Sequence, residues 1–132
     1  MPHALEVTVS QEDIDELGHA SNIVYLRWVQ EAALSHTTAL GLGQAEYRAL
    51  GKAWVVRKHE IEYLRPSFAG DVLSIETRVA SMSVASSVRK TRILRAGIEL
   101  CRAETDWVFV EIERGRPCRI PKDVKDRFPI EP

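Results

Sequence analysis

Residues 22–42 form the part of this chain that limits its fold most. They read as one long helix starting at Asn22, ending at about Leu42 and lacking a broad polar face. Ile23, Val24, Leu26, Trp28, Val29, Ala32, Ala33, Leu34, Ala39 and Leu40 cover most of the circumference; Arg27, Gln30 and Glu31 make one narrow polar stripe. A helix this apolar is expected to be buried on most sides, so the rest of the chain has to wrap it. The Gly41-Leu42-Gly43 stretch supplies the stop, and a second short helix is expected over Gln44 to Leu50, leading into Gly51.

Around this rod the pattern changes to strands. Ala4 to Val9 alternates, with Leu5, Val7 and Val9 on one face. Ala53 to Arg65 is rich in β-branched and aromatic residues and stops at Pro66; strict alternation puts Val55, Arg57, His59, Ile61 and Tyr63 together. Runs follow over Val72 to Val79, Ser83 to Leu94 and Ile98 to Glu113, with Ala96-Gly97 as a turn. In the last run Cys101, Ala103, Thr105, Trp107 and Phe109 make an uncharged face, and Arg102, Glu104 and Asp106 point away. Pro121 to Phe128 suits a terminal helical turn. The order is strand, helix, then four strands on short turns, which predicts an α+β fold: a curved five-stranded antiparallel sheet around a central helix, its last four strands a meander. One edge strand is left open, and pairing of edges across a two-fold axis would close it.

The loop before the helix concentrates reactive groups. Asp13, Asp15 and Glu16 precede Gly18, a natural bend, and His19, Ser21 and Asn22 follow. Ser21 or Asn22 suits the N-cap. Free backbone N–H groups and the positive end of the helix dipole then face a spot flanked by a carboxylate. Asp13 and Glu16 read as solvated loop charge, or as acids placed favourably before a helix N-terminus.

The whole is expected to be one domain over residues 1–132. The formal net charge of -1 offers no basic field for nucleic acid, and no run approaches the ~18 apolar residues of a membrane span. No signal peptide is visible and the two cysteines form no ligand pattern, which together suit a cytoplasmic protein. No Walker-type glycine loop, H-E-x-x-H or Cys/His spacing is present, so no metal and no cofactor are expected. No G-x-S-x-G elbow is present either.

Two blocks give the chain a family resemblance. The first is Asp15, Gly18-His19, Ala20-Ser21-Asn22, Tyr25 and Glu31-Ala32; the second is Val55-Val56-Arg57, Glu60-Ile61-Glu62-Tyr63, Arg65-Pro66 and Gly70-Asp71. Together the chain resembles the hotdog-fold acyl-CoA thioesterases, in their 4-hydroxybenzoyl-CoA thioesterase-like branch, from about Leu5 to Arg119. The aromatic pair that some members carry after the glycine is His19-Ala20 here, which counts against an aromatic acyl group. The resemblance implies a hotdog fold, a homodimer or homotetramer, and a site at the dimer interface that hydrolyses a fatty or aryl acyl-CoA. It implies Asp15 as nucleophile or general base, with a backbone N–H at the helix start, that of Asn22 or a neighbour, polarising the thioester oxygen. His19 would orient Asp15 or touch substrate, and Gly18, Tyr25, Arg57 and His59 would border it. Arg89, Lys90 and Arg92 would meet the phosphates of coenzyme A, or else form an ordinary solvated face. An acyl carrier protein as thiol donor, or a non-catalytic acyl-CoA-binding domain, are the alternatives.

Overall fold

The computed structural model describes residues 2–132. The elements run β1 (His3–Thr8), a 3-10 turn (Gln11–Asp13), α1 (Asn22–Ala39), α2 (Gln44–Leu50), β2 (Lys52–Tyr63), β3 (Val72–Met82), β4 (Ser86–Arg95), β5 (Ile98–Glu111), β6 (Arg116–Pro117) and α3 (Lys122–Lys125). All ladders are antiparallel and the order is β1-β3-β4-β5-β2, with the two-residue β6 against β5. The expected five-stranded sheet is therefore present, but its last four strands are not a meander. Only β3, β4 and β5 follow one another; β2 pairs with β5 and forms the far edge. The connection from β2 to β3 has to cross the sheet, and it does so over residues 64–71, which place the buried Ser67 beneath the start of α1.

α1 begins on Ser21, whose hydroxyl accepts the Ile23 N–H at 3.2 Å. Ser21, not Asn22, is therefore the cap. The helix ends one turn earlier than its periodicity suggests. Gly41, at φ +82, donates to the Thr38 carbonyl and Leu42 to that of Thr37, a Schellman closure that a side chain at Gly41 would strain. Between β4 and β5, Ala96 (φ 50) and Gly97 (φ 80) form the two-residue hairpin turn that matches strand twist.

The core has two apolar clusters. Val24, Tyr25, Trp28, Val29 and Ala32 of α1 rest on Leu73, Ile75, Ile93, Leu100 and Cys101. Past the helix's other end, Leu42, Tyr47, Val79 and Phe109 pack with Ile120, Val124 and Phe128 of the tail. Burial pushes the Cys101 thiol up to about 12, so it is an inert core group. Between the clusters the inner sheet face is polar, with Thr77, Arg89, Thr91 and Thr105 all buried.

Two expectations about faces change. α1 buries Val24, Tyr25, Trp28, Val29, Ala32, Ala33, His36 and Thr37 on one side, but Ile23 is 80% and Leu34 45% exposed. Burial on most sides is thus not reached within one chain. In β2 the register slips between Val56 and Lys58. This bulge at Arg57 inverts the alternation: Trp54 and Val56 face inward before it, His59 and Ile61 after it, while Val55 and Arg57 are exposed. Val55 and Arg57 therefore do not share a face with His59.

Candidate active site

The segment from Asp13 to Asn22 is a small closed loop. The Asp15 N–H donates to the His19 carbonyl at 3.0 Å, and the Gly18 N–H to the Asp15 carbonyl at 3.0 Å. Gly18 sits at φ +87, which an L side chain rarely adopts, so glycine is required at this bend. The loop is tied down from three sides. Ala20 N–H donates to the Ser67 carbonyl at 2.8 Å, Ser21 N–H to the Asp13 carbonyl at 3.0 Å, and the Tyr63 hydroxyl to the Asn22 carbonyl at 3.2 Å.

Asp13 is the anchor, not solvated charge. It is buried, and its carboxylate accepts from the Ser10 N–H at 2.9 Å, the Ser10 hydroxyl at 3.2 Å and Arg27 Nη2 at 3.0 Å. Burial alone would raise its pKa; these donors, led by the Ser10 backbone, outweigh it and hold the carboxyl below its ordinary value.

Asp15 faces outward beside this anchor, its side chain 31% exposed. Oδ1 accepts the Leu17 N–H at 2.9 Å, which fixes the rotamer from within the loop. Among the described residues Oδ2 has no partner. His19 Nδ1 lies 4.0 Å from Oδ1 and 3.3 Å from the Ala20 carbonyl oxygen. That spacing makes His19 a neighbour of the carboxylate, not a hydrogen-bond partner. Asn22 heads α1, where a backbone N–H has no intrahelical acceptor, and the residue is exposed. A held carboxylate therefore belongs to the loop that closes onto the exposed amino terminus of the helix. This combination can attack or deprotonate on one side of a carbonyl and stabilise charge on its oxygen.

The other candidate residues lie elsewhere. Tyr25 is in the core, its hydroxyl 2.7 Å from Ser67 Oγ and its ring edge-on to Trp28 and Tyr63. Burial raises its pKa, so it remains a neutral hydrogen-bonding phenol. His59 is at the level of Gln30, two turns or ~12 Å along α1 from Asn22. Its Nε2 faces the Gln30 amide nitrogen at 3.4 Å and its Nδ1 is 2.8 Å from Thr105 Oγ1. Nε2 therefore accepts and Nδ1–H donates, and burial lowers the pKa in favour of that neutral form. Arg57 is on the bulge, 3.9 Å from Asp106.

The basic run is split by the two-residue period of β4. Arg89 is 4% exposed on the inner face. Lys90 and Arg92 project from the outer face among Glu60, Glu62, Glu99 and Glu104, and Arg92 pairs with Glu76 at 2.9 Å and Glu99 at 3.7 Å. The three do not form one patch, because neighbouring residues of a strand point oppositely. Ser67 and the Tyr63 hydroxyl, which brace the helix start, had no signal as site residues; each is one polar group in an ordinary strand-to-loop run.

Separate from the loop is a pocket beneath the second half of α1, with a free volume of about 80 Å³. Gln30, Leu34, Trp54, Arg89, Trp107 and Phe128 are in its lining. Among the described residues no His, Cys, Asp and Glu side chains converge into a metal-holding cluster, and no helix is long and apolar enough to cross a membrane.

Comparison with known proteins follows the same outline. The sequence model of the thioesterase-like superfamily matches residues 9–128. The chain is 32% identical over 126 residues to the acyl-CoA thioester hydrolase YbgC of Escherichia coli, covering 92% of each. It is 23% identical over 127 residues to the chloroplastic acyl-acyl carrier protein thioesterase ATL3 of Arabidopsis thaliana, covering 96% of this chain and 67% of that one. The crystal structure of a probable thioesterase from Bartonella henselae superposes with a TM-score of 0.86 at 25% identity, covering 92% of this chain and 100% of that one.

Proposed function

The chain belongs to the thioesterase-like superfamily, and from that premise we propose that it hydrolyses acyl-CoA to the free acid and coenzyme A with Asp15 as the reacting carboxylate. The observation that carries this is the partly exposed Asp15 side chain, fixed through Oδ1 by the Leu17 N–H in a loop that closes onto the residues leading into α1. The thioester carbonyl carbon is attacked either by Asp15 Oδ2, giving a mixed anhydride that water then opens, or by a water that Asp15 deprotonates. In both routes negative charge develops on the carbonyl oxygen, and the Asn22 N–H at the positive end of the helix receives it. The thiolate of coenzyme A is a good leaving group and needs no strong acid. His19, at 4.0 Å, reaches the carboxylate only by a small side-chain shift and acts on substrate or on the Asp15 orientation.

The acting form is a two-fold assembly joined along β2. Support comes from the apolar groups left open beside that edge: Ile23 and Leu34 of α1 and Val55 and Tyr63 of β2. Antiparallel pairing of β2 with a second copy about its midpoint sets the Lys52 end of one chain near the Tyr63 end of the other. Because Tyr63 lies on the helix start, the second copy's reactive loop would then stand beside the Trp54 side of the pocket. A thioester held by one chain would extend its acyl group into the other.

Release of free thiol from a series of acyl-CoAs of increasing length tests the reading, with Asp15→Asn as control. Thiol release that depends on Asp15 is expected; turnover unaffected by Asp15→Asn would remove it from the mechanism. The similarity to ATL3 keeps acyl carrier protein as a second thiol donor. The same acyl group offered on both carriers decides between them, the one with the higher kcat/KM being the donor. Tight binding of acyl-CoA with no thiol release would leave a non-catalytic binding domain.

A further inference from the structure

The pocket under the second half of α1 contains a cation, Arg89, with which no carboxylate is paired among the described residues. Arg89 is 4% exposed, and its hydrogen bonds are both made by Nη1, to His36 Nδ1 at 2.9 Å and Thr77 Oγ1 at 3.1 Å. Neither partner is an anion. Burial first, and the Arg89 charge second, push His36 down to about 4, so at neutral pH it presents a lone pair. Arg89 itself is lowered by burial to about 10 and stays protonated. Among the described residues no carboxylate pairs with it, and its Nε and Nη2 have no acceptor.

Trp107 also lines the same space. Trp107 Nε1 is buried with no hydrogen-bond partner among the described residues. Unsatisfied buried donors are rare enough that each one calls for a reason, and the unpaired Nε and Nη2 of Arg89 remain open to the pocket. The remaining lining is apolar, including Ala33, Leu34, Val79, Met82 and Phe128. The free volume of about 80 Å³ is well above the ~10–15 Å³ a single water-sized group requires.

We infer that this pocket receives the far end of an acyl chain that terminates in a carboxylate, so that the preferred thioesters are ω-carboxyacyl ones. The planar guanidinium offers two parallel N–H donors to such a group, and the apolar walls take the methylenes leading to it. A plain alkyl end would desolvate Arg89 further and give nothing back. The inference rests on the thioesterase reading for the word "substrate", but the pocket's preference for a carboxylate stands on Arg89 and Trp107.

The test compares matched thioesters of coenzyme A, adipoyl with hexanoyl and suberoyl with octanoyl, by thiol release. At one of these lengths kcat/KM is expected to favour the carboxylated member by at least about tenfold. In Arg89→Met the ratio should fall below one. If that variant fails to fold, Trp107→Phe, which keeps a ring and removes only the N–H, should lower the ratio about threefold. Independently, suberate titrated into ¹⁵N-labelled protein should move the Trp107 indole signal, assigned by its loss in Trp107→Phe, and 1,8-octanediol, which has the same chain length and no carboxylate, should not. Preference for the plain acyl chains, or an indole signal indifferent to suberate, overturns the inference; a carboxylate from a second copy filling the pocket would produce that result. Suberate binding without hydrolysis of any acyl-CoA would overturn the thioesterase reading and leave the pocket assignment intact.

Discussion

At its amino end α1 meets Asp15, His19 and Asn22, all at least partly exposed, whereas its carboxyl half covers Arg89, which is 4% exposed. Both ends bring charge to an apolar helix. The amino end leaves one carboxylate, Asp15, partly exposed and uses a second, Asp13, to hold the loop in place. The other half buries a cation against neutral partners. One carboxylate at the amino end has its donor built in, the Leu17 N–H; among the described residues Arg89 at the other end has no anion beside it. On the roles proposed above, the difference separates a place that reacts from a place that receives.

Substitutions at the two ends should therefore fail in different ways. The largest effect is expected at Asp15. Asp15→Asn should lower kcat/KM for the best acyl-CoA by more than ~10²-fold, while the thermal midpoint stays within a degree or two of the parent. A matching loss of stability would mean that Asp15, like Asp13, serves the loop. Asp13→Ala should reverse the pattern, costing about 2–3 kcal/mol in urea unfolding because the Ser10 N–H and Arg27 lose their acceptor. An unfolding curve unchanged by Asp13→Ala would erase the division of labour between the two acids.

At the other end the readout is pH. His36 has a folded value of about 4 against an ordinary 6.5, so between these values the unfolded chain binds the extra proton. Unfolding free energy should then fall as pH is lowered from 6.5 towards 4, by on the order of 2 kcal/mol, and be indifferent to this group above that window. His3, also lowered by burial, contributes in the same direction. His36→Gln keeps an acceptor for Arg89 and removes the titration, so its curve should be flatter over the same interval. Equal slopes would show that His36 is not shielded as described. The smallest effect is expected from Ser21→Ala, which removes the cap on Ile23 and should cost about 1 kcal/mol with turnover reduced only modestly.

Much of this layout was legible in the residues. Ser21 and Gly41 punctuate α1, Ala96-Gly97 marks its hairpin, and the uncharged face of β5 appears where alternation puts it, because each of these is a local property of the chain. Two blocks of motif residues brought the hotdog family and Asp15 into view. Three features were not legible, and each depends on something non-local. The position of β2 beside β5 is decided by the crossing of residues 64–71, not by any pattern within the strands. Arg89 sits in a run of basic residues that looks solvated until β4 is given its inner and outer sides. Asp13 and Asp15 are alike in sequence, and only the approach of Arg27 from the helix makes one an anchor.

The slip between Val56 and Lys58 has a further bearing on how this protein can vary. Without it, one strand could not show Trp54 to the tail cluster and Ile61 to the opposite one. Forcing regular pairing with β5 at the same length would turn half of the strand inside out, sending His59 and Ile61 to the solvent and Lys58 and Glu60 under the helix, whereas deleting Arg57 would give regular pairing with His59 and Ile61 still facing inward. The irregularity thus absorbs one residue more than β5 supplies, and Arg57 is the position at which this strand can change length without changing which residues face the core.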